Sequence, residues 1–109
     1  MAVNIELLQK TLDTIKANPK HWDQRHWHCG SSHCFAGFAE LLVRDLPINQ
    51  PVNSEVFLSG ETEQFATQQL GLNVDDADIL FAYDNTLADL ELFVKELCSH
   101  GTILSVPIR

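Results

Sequence analysis

Basic side chains are scarce in this sequence. Among 109 residues it has 7 Lys and Arg against 15 Asp and Glu, a formal net charge of −8. Nucleic-acid-binding proteins neutralise phosphates with clustered Lys and Arg, so we expect no nucleic-acid partner. The acidic excess is uneven: residues 1–44 carry five basic and four acidic side chains, whereas residues 45–109 carry two and eleven. We interpret the acidic part as a source of solubility.

Long apolar runs are also missing. No stretch approaches the roughly 20 apolar residues that cross a bilayer, so we expect no membrane partner. The first ten residues, MAVNIELLQK, lack the basic start and apolar core of a signal peptide. These absences predict a cytoplasmic protein. A length of 109 residues with 45% hydrophobic content predicts a single globular domain spanning residues 1–109.

Cysteine is rare and odd in number. The chain contains Cys29, Cys34 and Cys98, which cannot all form disulfides with one another. Cytoplasmic proteins keep their cysteines reduced. Free thiols or metal ligands are therefore the expected states, rather than a disulfide framework.

What the sequence does contain is helical periodicity. Apolar residues recur at helical spacing from Ile5 to Ile15, after an Asn4 that can cap a helix. Asn18-Pro19 ends this predicted helix, because a residue before proline avoids helical geometry. Later, Asp75 and Asp76 suit the first turn of a short helix.

A second predicted helix, roughly 33–46, is apolar in nearly every direction. A helix with this pattern is central and buried, and Ser31 or Ser32 can cap it. Gly71 and Gly101 are typical stop signals for two later helices. The sequence therefore predicts an all-α domain of about five helices around a buried central helix. An irregular loop rich in His and Trp and an extended C-terminal tail complete this prediction.

The segment from His21 to Cys34 holds most of the reactive side chains. Zinc binds imidazole and thiolate, which makes zinc the candidate cofactor and His28, Cys29, His33 and Cys34 its candidate ligands. A thiol-redox site on the two cysteines is an alternative. In a third interpretation the histidines are surface loop residues and the cysteines small buried hydrophobes.

Cys34 is also a candidate nucleophile, because thiolates are favoured in the first turn of a helix. The string CGSSHCFAGFA resembles the signature C-G-S-C-W-A-F of papain-type cysteine proteases. It differs in cysteine spacing, and Phe35 replaces the tryptophan. His100 could serve as the base and Gln24 as an oxyanion donor, but no third member is evident to orient the histidine. We expect Cys34 to belong to the core instead.

The segment WHCGSSHCFAGFA, residues 27–39, resembles a motif of small bacterial and phage proteins of unassigned function. The motif is W-x-C-G-[ST]-x-x-C-[FL]-A-G-x-A. The similarity extends to residues 70–72 (LGL) and to the LF and DNTL strings within residues 80–87. It implies no activity, but it implies one structural unit formed by Cys29, Gly30, Cys34 and Gly37. The motif contains no histidine, which favours a paired-cysteine or packing role over zinc.

Strong helical patterning without a complete catalytic set predicts a non-catalytic interaction or regulatory module whose partner is another protein. Aromatic residues are enriched at contact sites. The predicted binding surface is therefore formed by Trp22, His26, Trp27 and His28. The alternative for both tryptophans is anchoring of the loop to the core.

Overall fold

Five α-helices form the body of the protein in a computed structural model that describes residues 3–25, 28–29, 32–48 and 59–105. The helices are α1 (Ile5–Ala17), α2 (Phe35–Val43), α3 (Ser59–Leu70), α4 (Val74–Leu80) and α5 (Leu87–His100). A 3₁₀ turn (Pro19–His21) follows α1, and two short strands, β1 (His28–Cys29) and β2 (Ser32–His33), precede α2. This architecture confirms the all-α prediction.

Helix α1 has the predicted bounds. The side chain of Asn4 accepts a hydrogen bond of 3.0 Å from the Leu7 amide, which satisfies one of the free amides at the helix start. Leu8, Leu12 and Ile15 are buried, as the periodicity predicts. Ile5, in the first turn, remains half exposed.

Helix α2 is the central helix, and every residue from Phe35 to Leu41 is buried. It is shorter than the predicted range 33–46 at both ends. At its start, Ser32 belongs to β2, so the N-cap is Cys34 in an extended conformation, not Ser31 or Ser32. At its end, Asp45 adopts a φ of 56° and the Leu46 amide bonds the Leu41 carbonyl at 2.9 Å, which stops the helix.

Capping residues close in sequence determine where α3 ends and where α5 begins. Gly71 has a φ of 70°, a left-handed conformation that glycine adopts without strain. The amide of Leu72 then bonds the Thr67 carbonyl at 3.0 Å, a C-terminal cap of the Schellman type. Helix α5 begins with a capping box in which Thr86 and Asp89 bond each other's backbone amides.

The core lies where α2 packs against α1 and α3, and α5 also packs against α1. The carboxylate of Glu40 is buried between α2 and α3. Glu40 is 1% exposed, and it accepts hydrogen bonds from the Thr62 hydroxyl at 2.8 Å and from Arg44 Nε at 3.1 Å. The Arg44 guanidinium also lies 4.2 Å from the centre of the Phe65 ring. These contacts join α2 to α3 by polar as well as apolar interactions.

The segment after α5 docks on α4 through Thr102 and Ile103, and Ser105 bonds Glu96 of α5. Asp76, buried in the first turn of α4, accepts hydrogen bonds from the Thr102 hydroxyl at 3.0 Å and from the Ile103 amide at 3.1 Å. Ile103 is buried. Residues 103–105 belong to neither a helix nor a strand, and the rest of the predicted extended tail, residues 106–109, lies outside the described part of the chain.

Within the described residues, no helix is long and apolar enough to cross a membrane. The longest of them, α5, has 14 residues.

The central position of α2 leads to a stability prediction. Phe38→Ala removes a fully buried ring and should lower the free energy of unfolding by about 3–5 kcal/mol. Leu92→Ala, at a site on α5 that is 42% exposed, should change it by no more than about 0.5 kcal/mol. Urea denaturation followed by circular dichroism measures both changes. Equal losses in the two variants would contradict the central role of α2.

Candidate interaction site

The segment predicted as an irregular loop contains a small hairpin. Strands β1 and β2 pair antiparallel, with His28 opposite His33 and Cys29 opposite Ser32. Trp22 forms a parallel bridge with His33, and the Asp23 amide donates to the His33 carbonyl at 2.8 Å. The hairpin therefore leads directly into α2 and is held against the chain that follows α1.

Two of the predicted surface residues, His26 and Trp27, lie outside the described residues, as do the side chains of His28 and Cys29. The prediction that these residues bind a partner or a metal therefore stays a prediction. Trp22, the remaining member of the predicted surface, is half-buried and packs against the core.

His33 is fully buried. Its Nε2 atom lies 3.0 Å from the Ile48 carbonyl oxygen, and since a carbonyl only accepts, Nε2 carries the hydrogen. The imidazole ring and the Phe38 ring are nearly perpendicular, with 5.7 Å between their centres. This ring therefore links the hairpin to α2 and to the segment after it.

Cys34 is also buried, being 1% exposed. Burial raises the pKa of its thiol from 9.0 to about 12, and hydrogen bonds from the amides of Gly37 and Ala36 lower it only in part. The expectation that a helix start favours thiolate is therefore outweighed here by desolvation. A neutral, buried thiol agrees with the expectation that Cys34 belongs to the core.

The hairpin places the backbones of the four candidate zinc ligands close together, because His28 pairs with His33, and Cys29 and Cys34 are their neighbours in sequence. Zinc binds thiolate and an imidazole nitrogen; burial raises the pKa of the Cys34 thiol, and the His33 Nε2–H bond to the Ile48 carbonyl leaves Nδ1 as the ring nitrogen that could coordinate a metal. Across the described residues, no group of three or more His, Cys, Asp or Glu side chains is placed to hold a metal ion. His100, the candidate catalytic base, lies exposed in the last turn of α5. Zinc binding and redox chemistry stay hypotheses from the sequence.

Gln24 connects three separate parts of the chain. Its Nε2 donates to the carbonyls of Leu80 and Ala82 at 3.1 and 3.2 Å. Its Oε1 accepts from Trp22 Nε1 at 3.0 Å and from the Phe35 amide at 3.1 Å. This buried amide has therefore used both of its hydrogens and both lone pairs of its oxygen. It holds the fold and has no hydrogen left for an oxyanion.

An open cleft lies above this network, with a volume of about 390 Å³. We call it the Trp22 cleft. It is lined by Trp22, Asp23, Gln24, Arg25, Ser32, Tyr83, Asp84 and Asn85. One wall follows the 3₁₀ turn and the other is the connection between α4 and α5. Asn85 fixes that connection by donating to the carbonyls of Ile79 and Leu80 at 2.7 and 3.0 Å.

The side chains of the Trp22 cleft differ sharply in exposure. Tyr83 is 71% exposed, and the Arg25 side chain is 72% exposed, whereas that of Asp23 is 22% exposed. Arg25 contacts Asp23 through Nε at 3.2 Å and through its own amide at 3.1 Å. The cleft thus presents an aromatic ring and a guanidinium to solvent beside a half-buried indole.

Sequence reasoning identified Trp22 but missed Tyr83 and Arg25. Tyr83 is the single tyrosine of the chain, and it stands in the string AYDN between two predicted helices. A large aromatic residue in a polar connection between helices does not belong to the apolar face of either helix. That signal could have indicated an exposed aromatic residue before the structure was known.

No protein-family model, curated protein or solved structure matches this chain. The resemblance of residues 27–39 to small bacterial and phage proteins therefore stays a prediction from the motif.

The contacts of Gln24 can be tested by Gln24→Leu, which keeps a similar volume. The change leaves the Trp22 and Phe35 N–H groups without their acceptor, and each unsatisfied buried group costs about 1–3 kcal/mol. We expect the free energy of unfolding to fall by about 2–4 kcal/mol. Gln68→Leu, at an exposed position on α3, is the control and should change little. Chemical denaturation measures both, and a neutral Gln24→Leu would contradict the role given to this amide.

The raised pKa of Cys34 predicts a loss of stability in alkali. Above pH 9 the thiol of the unfolded chain ionises, whereas the buried thiol keeps its proton up to about pH 12. The contribution of the Cys34 thiol to the free energy of unfolding is complete below pH 9. Above pH 9 it falls by about 1.4 kcal/mol per pH unit. Cys34→Ser removes the titration. We expect the stability of Cys34→Ser relative to wild type to rise between pH 8 and pH 11, as measured by the free energies of unfolding of the two proteins. A constant difference would contradict the prediction.

Proposed function

We propose that this protein is a cytoplasmic, non-catalytic interaction module that binds a protein partner through the Trp22 cleft. One observation carries the proposal: the fold brings Trp22 and Tyr83 together around one open cleft. Trp and Tyr are among the residue types that dominate binding energy at protein interfaces.

The rigidity of the cleft supports this function. Gln24 fixes the Trp22 indole, and Asn85 fixes the chain beside Tyr83 through two backbone carbonyls. A preorganised surface loses less conformational entropy when a partner binds. An exposed tyrosine on such a frame can therefore contribute to affinity without reorganisation of the fold.

The chemistry of the reactive residues supports a non-catalytic role. A nucleophilic cysteine needs a thiolate that a substrate can reach, whereas Cys34 is buried and its pKa is raised to about 12. The amide hydrogens of Gln24 are bonded to Leu80 and Ala82. These side chains stabilise the fold around the cleft.

Site-specific photocrosslinking tests the proposal. Benzoylphenylalanine at position 83 should crosslink one partner in cells, because the aromatic probe replaces an aromatic residue within the cleft. The same probe at position 74 should not, although Val74 is equally exposed at 71%. Gel shift and mass spectrometry of the adducts identify the partner.

A direct binding measurement then completes the test. Tyr83→Ala should weaken the purified complex at least about tenfold, the loss expected for an interface hot spot. Val74→Ala should leave the affinity unchanged. The proposal is wrong if position 83 gives no specific adduct, or if both alanine variants bind equally well.

A further inference from the structure

The ion pair within the Trp22 cleft indicates what kind of side chain the partner presents. We infer that the cleft receives an arginine or lysine side chain from the partner, which takes the place that Arg25 occupies on Asp23. This inference rests on the proposed function and names the chemistry of the partner.

The chain itself shows that a cation fits at this position. The Arg25 guanidinium contacts the Asp23 carboxylate through Nε at 3.2 Å and through a terminal nitrogen at 3.5 Å. The carboxylate is mostly buried, whereas the arginine side chain is 72% exposed. An exposed ion pair between neighbours in sequence is weak. An arriving cation would therefore compete with Arg25 for the Asp23 carboxylate.

The aromatic residues of the cleft favour the same class of ligand. Trp22 and Tyr83 both line it, and the faces of indole and phenol rings attract ammonium and guanidinium groups. Arginine in particular stacks on aromatic rings while bonding carboxylates. Asp84, on the wall opposite Asp23, adds a second negative charge.

The wider charge distribution also selects a basic partner. The cleft wall formed by residues 83–85 belongs to the part of the chain, residues 45–109, that carries eleven acidic and two basic side chains. Such a field accelerates the approach of a basic segment and repels an acidic one.

The test is an NMR titration of the ¹⁵N-labelled protein with N-acetyl-arginine amide. We expect shifts confined to the backbone amides of residues 22–25 and 83–85 and to the Trp22 indole N–H. N-acetyl-citrulline amide, which has nearly the same shape without the charge, and N-acetyl-glutamate amide should produce none of these shifts.

Three variants locate the binding. Asp84→Asn should weaken binding of the arginine probe about twofold to fivefold, as expected for one exposed charge contact. Asp75→Asn, the same charge change at an exposed position on α4, should leave probe binding unchanged. Arg25→Ala should strengthen probe binding by a similar factor, because the internal competitor is gone. The ¹⁵N spectrum of each variant reports whether it is folded.

The outcomes separate this inference from the proposed function. Equal effects of Asp84→Asn and Asp75→Asn, equal binding of the citrulline probe, or weaker binding by Arg25→Ala would overturn the inference. If position 83 still crosslinks a partner in that case, the proposed function stands and the partner is not recognised through a cation. If position 83 crosslinks nothing, both fail.

Discussion

A single buried amide determines how the segments of this protein meet. Gln24 lies in a short connection after α1, yet it bonds the start of α2 and the carbonyls at the end of α4, more than 50 residues away. Because an apolar side chain could fill the same space without directing its neighbours, the polarity of Gln24 is what fixes their relative positions. The Trp22 cleft exists because the two walls joined by this amide do not close over it.

Much of the fold could be predicted from local signals. The start of α1 at Asn4, the stop at Gly71 and the cap of α5 at Thr86 each depend on residues within one helical turn. The length of α2 could not be predicted in this way. Its first residue is set by the pairing of β2 with Trp22 and β1, and hydrogen bonds between such short extended segments leave no periodic signal in the sequence.

The candidate site was less predictable than the fold, for a physical reason. Reactive residue types attract attention in a sequence, but His33 and Cys34 are buried, and desolvation outweighs the helix start in setting the thiol pKa. The exposed residues of the Trp22 cleft come instead from two connections far apart in the chain. Only the folded structure shows that Arg25 and Tyr83 line the same cleft.

The buried carboxylate of Glu40 has a consequence for the uniqueness of the native state. Helix α2 is apolar on nearly every side, so burial of apolar surface alone distinguishes only weakly between rotations about its axis. Glu40 accepts a hydrogen bond from the Thr62 hydroxyl on α3, whereas Arg44 lies one turn away at the end of α2 and turns with the helix. A rotation that separated Glu40 from Thr62 would cost a buried hydrogen bond, so this contact favours the rotation in which the start of α2 meets Gln24 beside the cleft.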